Sequence, residues 1–450
     1  MKKFLILLMA LILSVSAVGL IACGGSENPE GPGGEQPPAY TVKGTEGLSY
    51  SISKRKDTNE EYAIFTGLKK DCTATEITIA SHYKGAPVEE IGLVGKLSNF
   101  SKVEKVNIHK LVKVVGASAF YGAESLKEVN FDSEGVLDTL GLYAFKNCTK
   151  LETINLPSTI KAMSEGAFDG CTLLKYNEYE GANYIGSTAK PCMLLIKAKE
   201  GATKCKVNKD CQVICASAFE NNTIISTIEF EDDNTLLNIS ANAFKGSGIT
   251  SITIPSSVET IGNDAFSECP NLEVINLSTT TKITSIGERA FFGSNKLQYV
   301  NNFEKTRITV CNTAMFQNCN SLRTLVIPNT VEFIKSAFLK DCHSLYSVKF
   351  EENSQVTEFE EDAFYACTGL SELIIPKSLQ KTLWHMTCYC RKDKLKIFME
   401  HESKPVGVHS DYNKYHPQQD FTFPTYYYRE TRPTESGNFW HYVDGKPEIW

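Results

Sequence analysis

From about residue 106 to residue 385 the apolar positions follow one long frame, neither the roughly 3.6-residue stripe of a helix nor unbroken alternation. A phenylalanine returns as Phe120, Phe145, Phe168, Phe219, Phe244, Phe266, Phe291, Phe316, Phe338 and Phe364, and nine of the ten follow Ala directly. The intervals are 25, 23, 51, 25, 22, 25, 25, 22 and 26 residues, so the long one spans about two repeats with a degenerate phase between them. Around each ring the same frame recurs, as in Ile261, Gly262, Ala265, Phe266, Cys269, Leu272, Ile275 and Leu277. A unit of this length cannot bury its own apolar residues, whereas stacked copies share one continuous core. The pattern predicts a solenoid.

Within the unit, the segment around Ile275 and Leu277 alternates as a short strand, with those two side chains inward and Asn276 outward. Strands stacked in register form a parallel sheet along one face, and the Ala-Phe part falls on the opposite, turn-built side. Pro157, Pro255, Pro328 and Pro376 come at strand ends, where a missing N–H is tolerated. Where proline is absent the unit lengthens through acidic insertions at Asp132 and Glu134, Glu231 to Asp233, and Glu351 with Glu352. Three residues after the ring stands a small or polar residue, Ala123, Cys148, Cys171, Asn222, Ser247, Cys269, Ser294, Cys319 or Cys367, with Cys342 one place late. A buried thiol there can bond a neighbouring backbone group, and side chains stacked in parallel seldom reach disulfide geometry, so reduced thiols are expected.

This frame resembles the BspA-like leucine-rich repeat of bacterial surface proteins (leucine-rich repeat family 5 type) over residues 106–385, with a degenerate repeat at 176–218. The resemblance implies a leucine-rich-repeat solenoid of parallel stacked short strands with a loop and turn opposite face, of about 11 coils, capped at both ends. Residues 40–105 serve as the N-terminal cap, through strands near Glu61 to Leu68 and Glu76 to Ala80. After Leu379 the frame fades, and residues 386–450, with Tyr426, Tyr427, Tyr428, Trp440, His441, Tyr442 and Trp450, look like the aromatic capping module of that family. The family likeness also implies adhesion to, or interaction with, proteins of a host or neighbouring cell.

The N-terminus carries an address. Lys2 and Lys3 precede an apolar run from Phe4 to Leu13, followed by Leu20, Ile21, Ala22 and Cys23, which looks like a lipobox. Residues 1–22 then form a lipoprotein signal peptide and Cys23 becomes the acylated first residue, each buried CH₂ of its lipid contributing roughly 0.8 kcal/mol to anchoring. An uncleaved membrane helix is the alternative. Residues 23–39 are rich in Gly and Pro and read as a tether. The expectation is an exported, membrane-anchored lipoprotein at the cell surface.

A net charge of -7 without basic runs argues against nucleic acid as partner. No phosphate loop, His-Glu-x-x-His or Gly-x-Ser-x-Gly appears. His385, Cys388, Cys390 and His401 are spaced poorly for zinc, and paired acids such as Glu360 and Glu361 sit in solvated loops. The chain reads as a non-enzyme without cofactor or metal. Its asset is the outward strand face, which gives one row of Glu128, Thr153, Thr227, Ser251, Val274, Tyr299, Thr324, Ser347 and Glu372. The second row is Asn130, Asn155, Glu229, Thr253, Asn276, Asn301, Val326, Lys349 and Ile374. The binding candidates are Thr153, Asn155, Thr227, Glu229, Ser251, Thr253, Asn276, Tyr299, Asn301, Thr324 and Lys349; recurring Asn in strands needs a reason. The competing reading is an envelope carbohydrate-binding or carbohydrate-processing lipoprotein that uses the C-terminal aromatics, and processing requires carboxylates converging near Trp440 and Tyr442. A plain structural spacer is a third.

Overall fold

Each coil consists of two short strands on either side of a tight turn, as Thr260–Ile261 precedes the turn at Ala265 and Phe266 and Val274–Leu277 follows it. The computed structural model describes residues 40–383, 385–391, 393–409 and 422–450, of which Val42–Trp450 belong to one compact unit. The leader, Cys23 and the tether to residue 39 lie outside the described residues. Both strands of a coil pair in parallel with their counterparts above and below: Ile252 lies beside Ile275, and Ile261 beside Ile286. Inward side chains such as Ile252, Ile275 and Leu277 are buried, while Asn276 between them stays half-exposed.

About 15 turns stack, more than the about 11 expected from the phenylalanine count. A coil needs an inward apolar pair rather than a Phe, and both flanks supply one. Glu76–Thr78 joins Lys105–Ile108 through buried Ile77, and Lys396–Met399 joins Glu372–Ile375 through buried Ile397 and Met399. Antiparallel hairpins close the stack, Leu48–Lys54 with Glu61–Leu68 at one end and Phe439–Val443 with Lys446–Ile449 at the other.

On the turn side the rings form a column. Successive centroids lie 4.8 Å apart for Phe120 and Phe145, 4.9 Å for Phe219 and Phe244, and 5.1 Å for Phe244 and Phe266, with planes within a few degrees of parallel. These spacings are close to the roughly 4.8 Å between hydrogen-bonded strands, so ring thickness and strand spacing agree. Beside the rings runs a ladder of thiols. The carbonyl of Phe145 accepts the backbone N–H of Cys148 in its own coil (3.1 Å) and the Cys171 thiol from the next (3.1 Å), which occupies both lone pairs. Cys148, Cys269, Cys319 and Cys342 repeat the thiol bond to Phe120, Phe244, Phe291 and Phe316, and the hydroxyl of Ser294 donates to Phe266 at 2.7 Å. The fourteen described cysteines are free. Burial pushes the Cys269 thiol up to about 11 and that of Cys367 to about 12, which suppresses the reactive thiolate.

Phe338 does not occupy the ring position. In other coils the ring residue donates its N–H to the alanine of the next coil, as Phe266 does to Ala290; Phe316 donates to the Phe338 carbonyl, while Leu339 donates to Ala363. Phe338 therefore stands in the alanine place and Leu339 in the ring place, and the Cys367 thiol bonds the Leu339 carbonyl at 3.1 Å. Cys342 is three residues after Leu339 and thus in phase after all. The spacing to the next leucine decides the register, because Leu345 is six residues from Leu339, as Leu272 is from Phe266.

The degenerate stretch opens as a meander and ends as an ordinary coil, with Lys204–Val207 and Val213–Ile214 in the parallel ladders. Asn177–Tyr179, Ala182–Ile185 and Leu194–Ala198 pair antiparallel, after which Leu194 and Leu195 rejoin the parallel ladder beside Val213 and Ile214. Neighbouring residues of a strand face opposite ways, so Leu194 and Ile185 pack into one core, Leu195 and Tyr184 into another. The stacked rings fall into two sets accordingly, Phe120 to Phe168 before the meander and Phe219 onward after it.

Two expectations follow. Phe266→Ala empties a fully buried site between Phe244 and Phe291 and should cost about 3–5 kcal/mol in urea titration. Hydrogen exchange should then accelerate through the coils around Phe266 while strands near Val106 and Val129, in the other core, keep their protection. His109, buried beside Ile108 with its Nδ1 accepting the Leu111 N–H (3.2 Å), is held down to about 4 from 6.5 by loss of hydration. The unfolded chain binds a proton there that the folded chain refuses, so stability falls as pH drops from 6.5 toward 4, by at most about 1.4 kcal/mol per unit. His109→Leu should flatten that slope in urea titrations at pH 7, 5 and 4.

Candidate binding face

The outward strand positions are assembled by the parallel register. Ser251 stands beside Val274 and Val274 beside Tyr299; Thr253 stands beside Asn276 and Asn276 beside Asn301. Thr324 neighbours Ser347, and Val326 neighbours Lys349. Thr153 and Asn155 lie beside Glu128 and Asn130 in a separate sheet before the meander. None of the candidate residues is buried. The rows are nonetheless not one ladder. Thr227 pairs with Ser251, and the ladder goes no further toward Glu229 and Thr253. Between Tyr299–Asn301 and Thr324–Ile327 no ladder forms: Asn302 turns left-handed (φ 62) and a 3-10 turn, Phe303–Lys305, drives the Phe303 ring into the core against Phe316.

The recurring asparagines have a structural partner in each other. Asn301 Nδ2 donates to Asn276 Oδ1 at 2.8 Å and Asn276 Nδ2 to Thr253 Oγ1 at 3.4 Å. Asn130 similarly reaches Asn107 at 3.4 Å. Such links between coils explain Asn in a strand without invoking a ligand, and they also hold the amides in a fixed orientation. Asn155 is partly engaged by its own chain, since its Oδ1 accepts the N–H of Thr188 from the meander at 3.1 Å.

Charge divides the face. Near the N-terminal end Lys105 lies 3.5 Å from Glu76 and 3.6 Å from Glu128. Four coils in the middle then present Ser251 and Thr253, Val274 and Asn276, Tyr299 and Asn301, Thr324 and Val326, without a charge in either row. The Arg323 guanidinium stands 5.7 Å from the centre of the Tyr299 ring at their edge. Sequence reasoning missed row members in the degenerate and terminal coils. Lys204 and Lys206 align with Thr227 and Glu229, and Phe398 with Tyr426. The alternation of Lys204, Cys205, Lys206 and Val207 was the available signal for the first pair.

The model of the BspA type leucine rich repeat region matches six copies, over residues 96–193, 197–309 and 274–396, more than half of the chain. The chain belongs to that family. No curated protein matches it. Solved structures similar to this BspA-type chain include a leucine-rich repeat protein from Bacteroides ovatus, 19% identical, covering 81% of this chain and 89% of its own at a TM-score of 0.36. A leucine rich cell surface protein from Faecalibacterium prausnitzii is 19% identical, covering 78% and 96% at 0.29, and a leucine-rich repeat protein from Eubacterium ventriosum is 16% identical, covering 77% and 94% at 0.34. Likenesses this distant carry no argument about function.

Elsewhere the BspA-type chain gathers little chemistry. Among the described residues no group of three or more His, Cys, Asp or Glu could hold a metal ion, and no helix is long and apolar enough to cross a membrane. Cys390 belongs to the thiol ladder, donating to the Phe364 carbonyl at 3.2 Å, and the His401 ring bonds the Leu379 carbonyl at 2.9 Å. Asn276→Ala breaks both amide links of the central coils. Because they are partly exposed, the expected loss in urea titration is below about 1 kcal/mol; a loss above roughly 2 kcal/mol means that the amides hold the coils together.

Proposed function

We propose that this chain is a surface-exposed lipoprotein, anchored through acylated Cys23, that binds a protein partner on a host or neighbouring cell through the central coils of its strand face. The observation that carries this reading is the uncharged panel from Ser251 to Val326, in which Tyr299 is the one aromatic and Thr253, Asn276 and Asn301 are tied in a row. The cores of protein interfaces are depleted of charge and enriched in Tyr and Arg. Tyr provides rigid contact area, while Ser, Thr and Asn provide adaptable hydrogen bonds. Rigid coils keep those groups in place before the partner arrives, which lowers the entropy lost on binding. The membrane attachment rests on the lipobox at Leu20, Ile21, Ala22 and Cys23, and the Gly/Pro tether supplies reach.

Intact cells carrying the full chain test both parts. External protease should remove the solenoid from cells with the native protein, and Cys23→Ala should release it from the membrane fraction. Adhesion of those cells to host cells or extracellular-matrix proteins should fall roughly tenfold, about 1.4 kcal/mol, when Asn276→Lys and Thr253→Lys place charges in the panel. Full protection from protease removes the cell-contact reading, and adhesion untouched by both substitutions removes the panel.

A further inference from the structure

At the C-terminal end of the solenoid, in a separate sheet, the outward strand positions carry rings. Ile374 stands beside Phe398, Phe398 beside Tyr426, and Tyr428 beside Trp440. Closing the end of a solenoid accounts for Phe398 and Trp440, which are 2% and 0% exposed, with Trp440 Nε1 bonded to the Met399 carbonyl at 2.8 Å. It does not account for Tyr442, whose side is left 40% exposed, or for half-buried Tyr428. Their centroids are 6.1 Å apart and their planes meet at 49°, and Trp440 stands edge-on to both, 5.5 Å from Tyr428 and 4.7 Å from Tyr442. The two tyrosine planes meet at an angle, with the buried indole against both rings.

A carboxylate borders that angle. Glu400 Oε1 accepts the Tyr442 hydroxyl at 2.5 Å, and Oε2 accepts the Lys377 N–H at 3.1 Å, so the carboxylate is held in place with lone pairs to spare. Close by, Arg429 donates to the Tyr428 carbonyl at 3.0 Å and the Glu402 carbonyl at 2.7 Å. Arg429 is itself paired with Glu435 at 3.3 Å, so the charge that borders the rings is the Glu400 carboxylate, an acceptor for the hydroxyls of a neutral occupant. Ring faces carry negative potential that attracts the C–H face of a pyranose, and a carboxylate at the rim accepts sugar hydroxyls. We propose that Tyr428, Tyr442 and Glu400 form a binding site for one residue of a neutral glycan, separate from the protein-binding panel.

The test is calorimetric titration of the detergent-solubilised full chain with soluble tetramers of β-1,4-linked glucose and of β-1,4-linked N-acetylglucosamine. At least one should bind. Tyr428→Ala and Tyr442→Ala should each weaken it roughly threefold to tenfold, the worth of one ring contact. Asn276→Lys should leave it unchanged. If an alanine variant melts early, Tyr442→Phe and Glu400→Gln are read instead; they keep the rings and should still weaken binding by altering the hydroxyl acceptor. Absence of binding by both tetramers overturns the proposal, as does binding that none of these four substitutions changes. Loss of saccharide binding with cell adhesion intact, or the reverse, keeps this site and the panel distinguishable.

Discussion

The fold turns on one recurrent interaction: at most turns a buried backbone carbonyl, which already accepts an N–H of its own coil, offers its second lone pair to the next coil. The next coil answers with a thiol or hydroxyl three residues after its own ring, as Cys171 does for Phe145 and Ser294 for Phe266. That bond sets the axial phase of neighbouring turns. The ring column then follows, because a ring in that phase lands on the one below at close to the strand spacing. Cysteine suits the position because it is small, apolar and still a donor, and burial keeps it from the thiolate state that would make it reactive. The slip at Phe338 shows the order of priority: the coil keeps its thiol in phase and accepts Leu339 in the ring place.

The meander shows what happens when the interaction lapses. Between Asn177 and Ala198 the chain turns antiparallel and becomes a two-faced wall, with Leu194 serving one core and Leu195 the other. Coupling between coils in a solenoid passes mainly through nearest neighbours, so such a wall divides cooperative behaviour while leaving the chain continuous. It also breaks the strand face, and its Thr188 engages Asn155 at that break. The uncharged central panel lies entirely on the far side of the wall.

What this architecture can offer a partner is what the coils hold outward, since the inward positions are committed to packing. The central amides are oriented by one another, and the terminal tyrosines by Trp440 and Glu400. Both surfaces are therefore fixed before any ligand arrives. They differ in chemistry: one is a broad neutral panel of Ser, Thr, Asn and Tyr, the other a small aromatic angle with a single carboxylate.

The sequence by itself determined the repeat, the inward and outward alternation of its strands, the place of the turn cysteines and the family, because each of these is a local pattern copied many times. Glu61–Leu68 could be read as a strand for the same reason. Coil number and the splay between Tyr299–Asn301 and Thr324–Ile327 were decided only by tertiary structure, whereas the slip at Phe338 was already written in the spacing of Leu339, Cys342 and Leu345. Coil number and the splay each depend on which residues of one turn meet those of another, and a left-handed Asn302 leaves little trace in a single unit. The outward rows were legible as positions, whereas their division into an ion-paired end, a neutral panel and an aromatic end was not. That division arises from register between turns, which carries Phe398 onto Tyr426 and Asn301 onto Asn276, and register is a property of the stacked chain rather than of any segment within it.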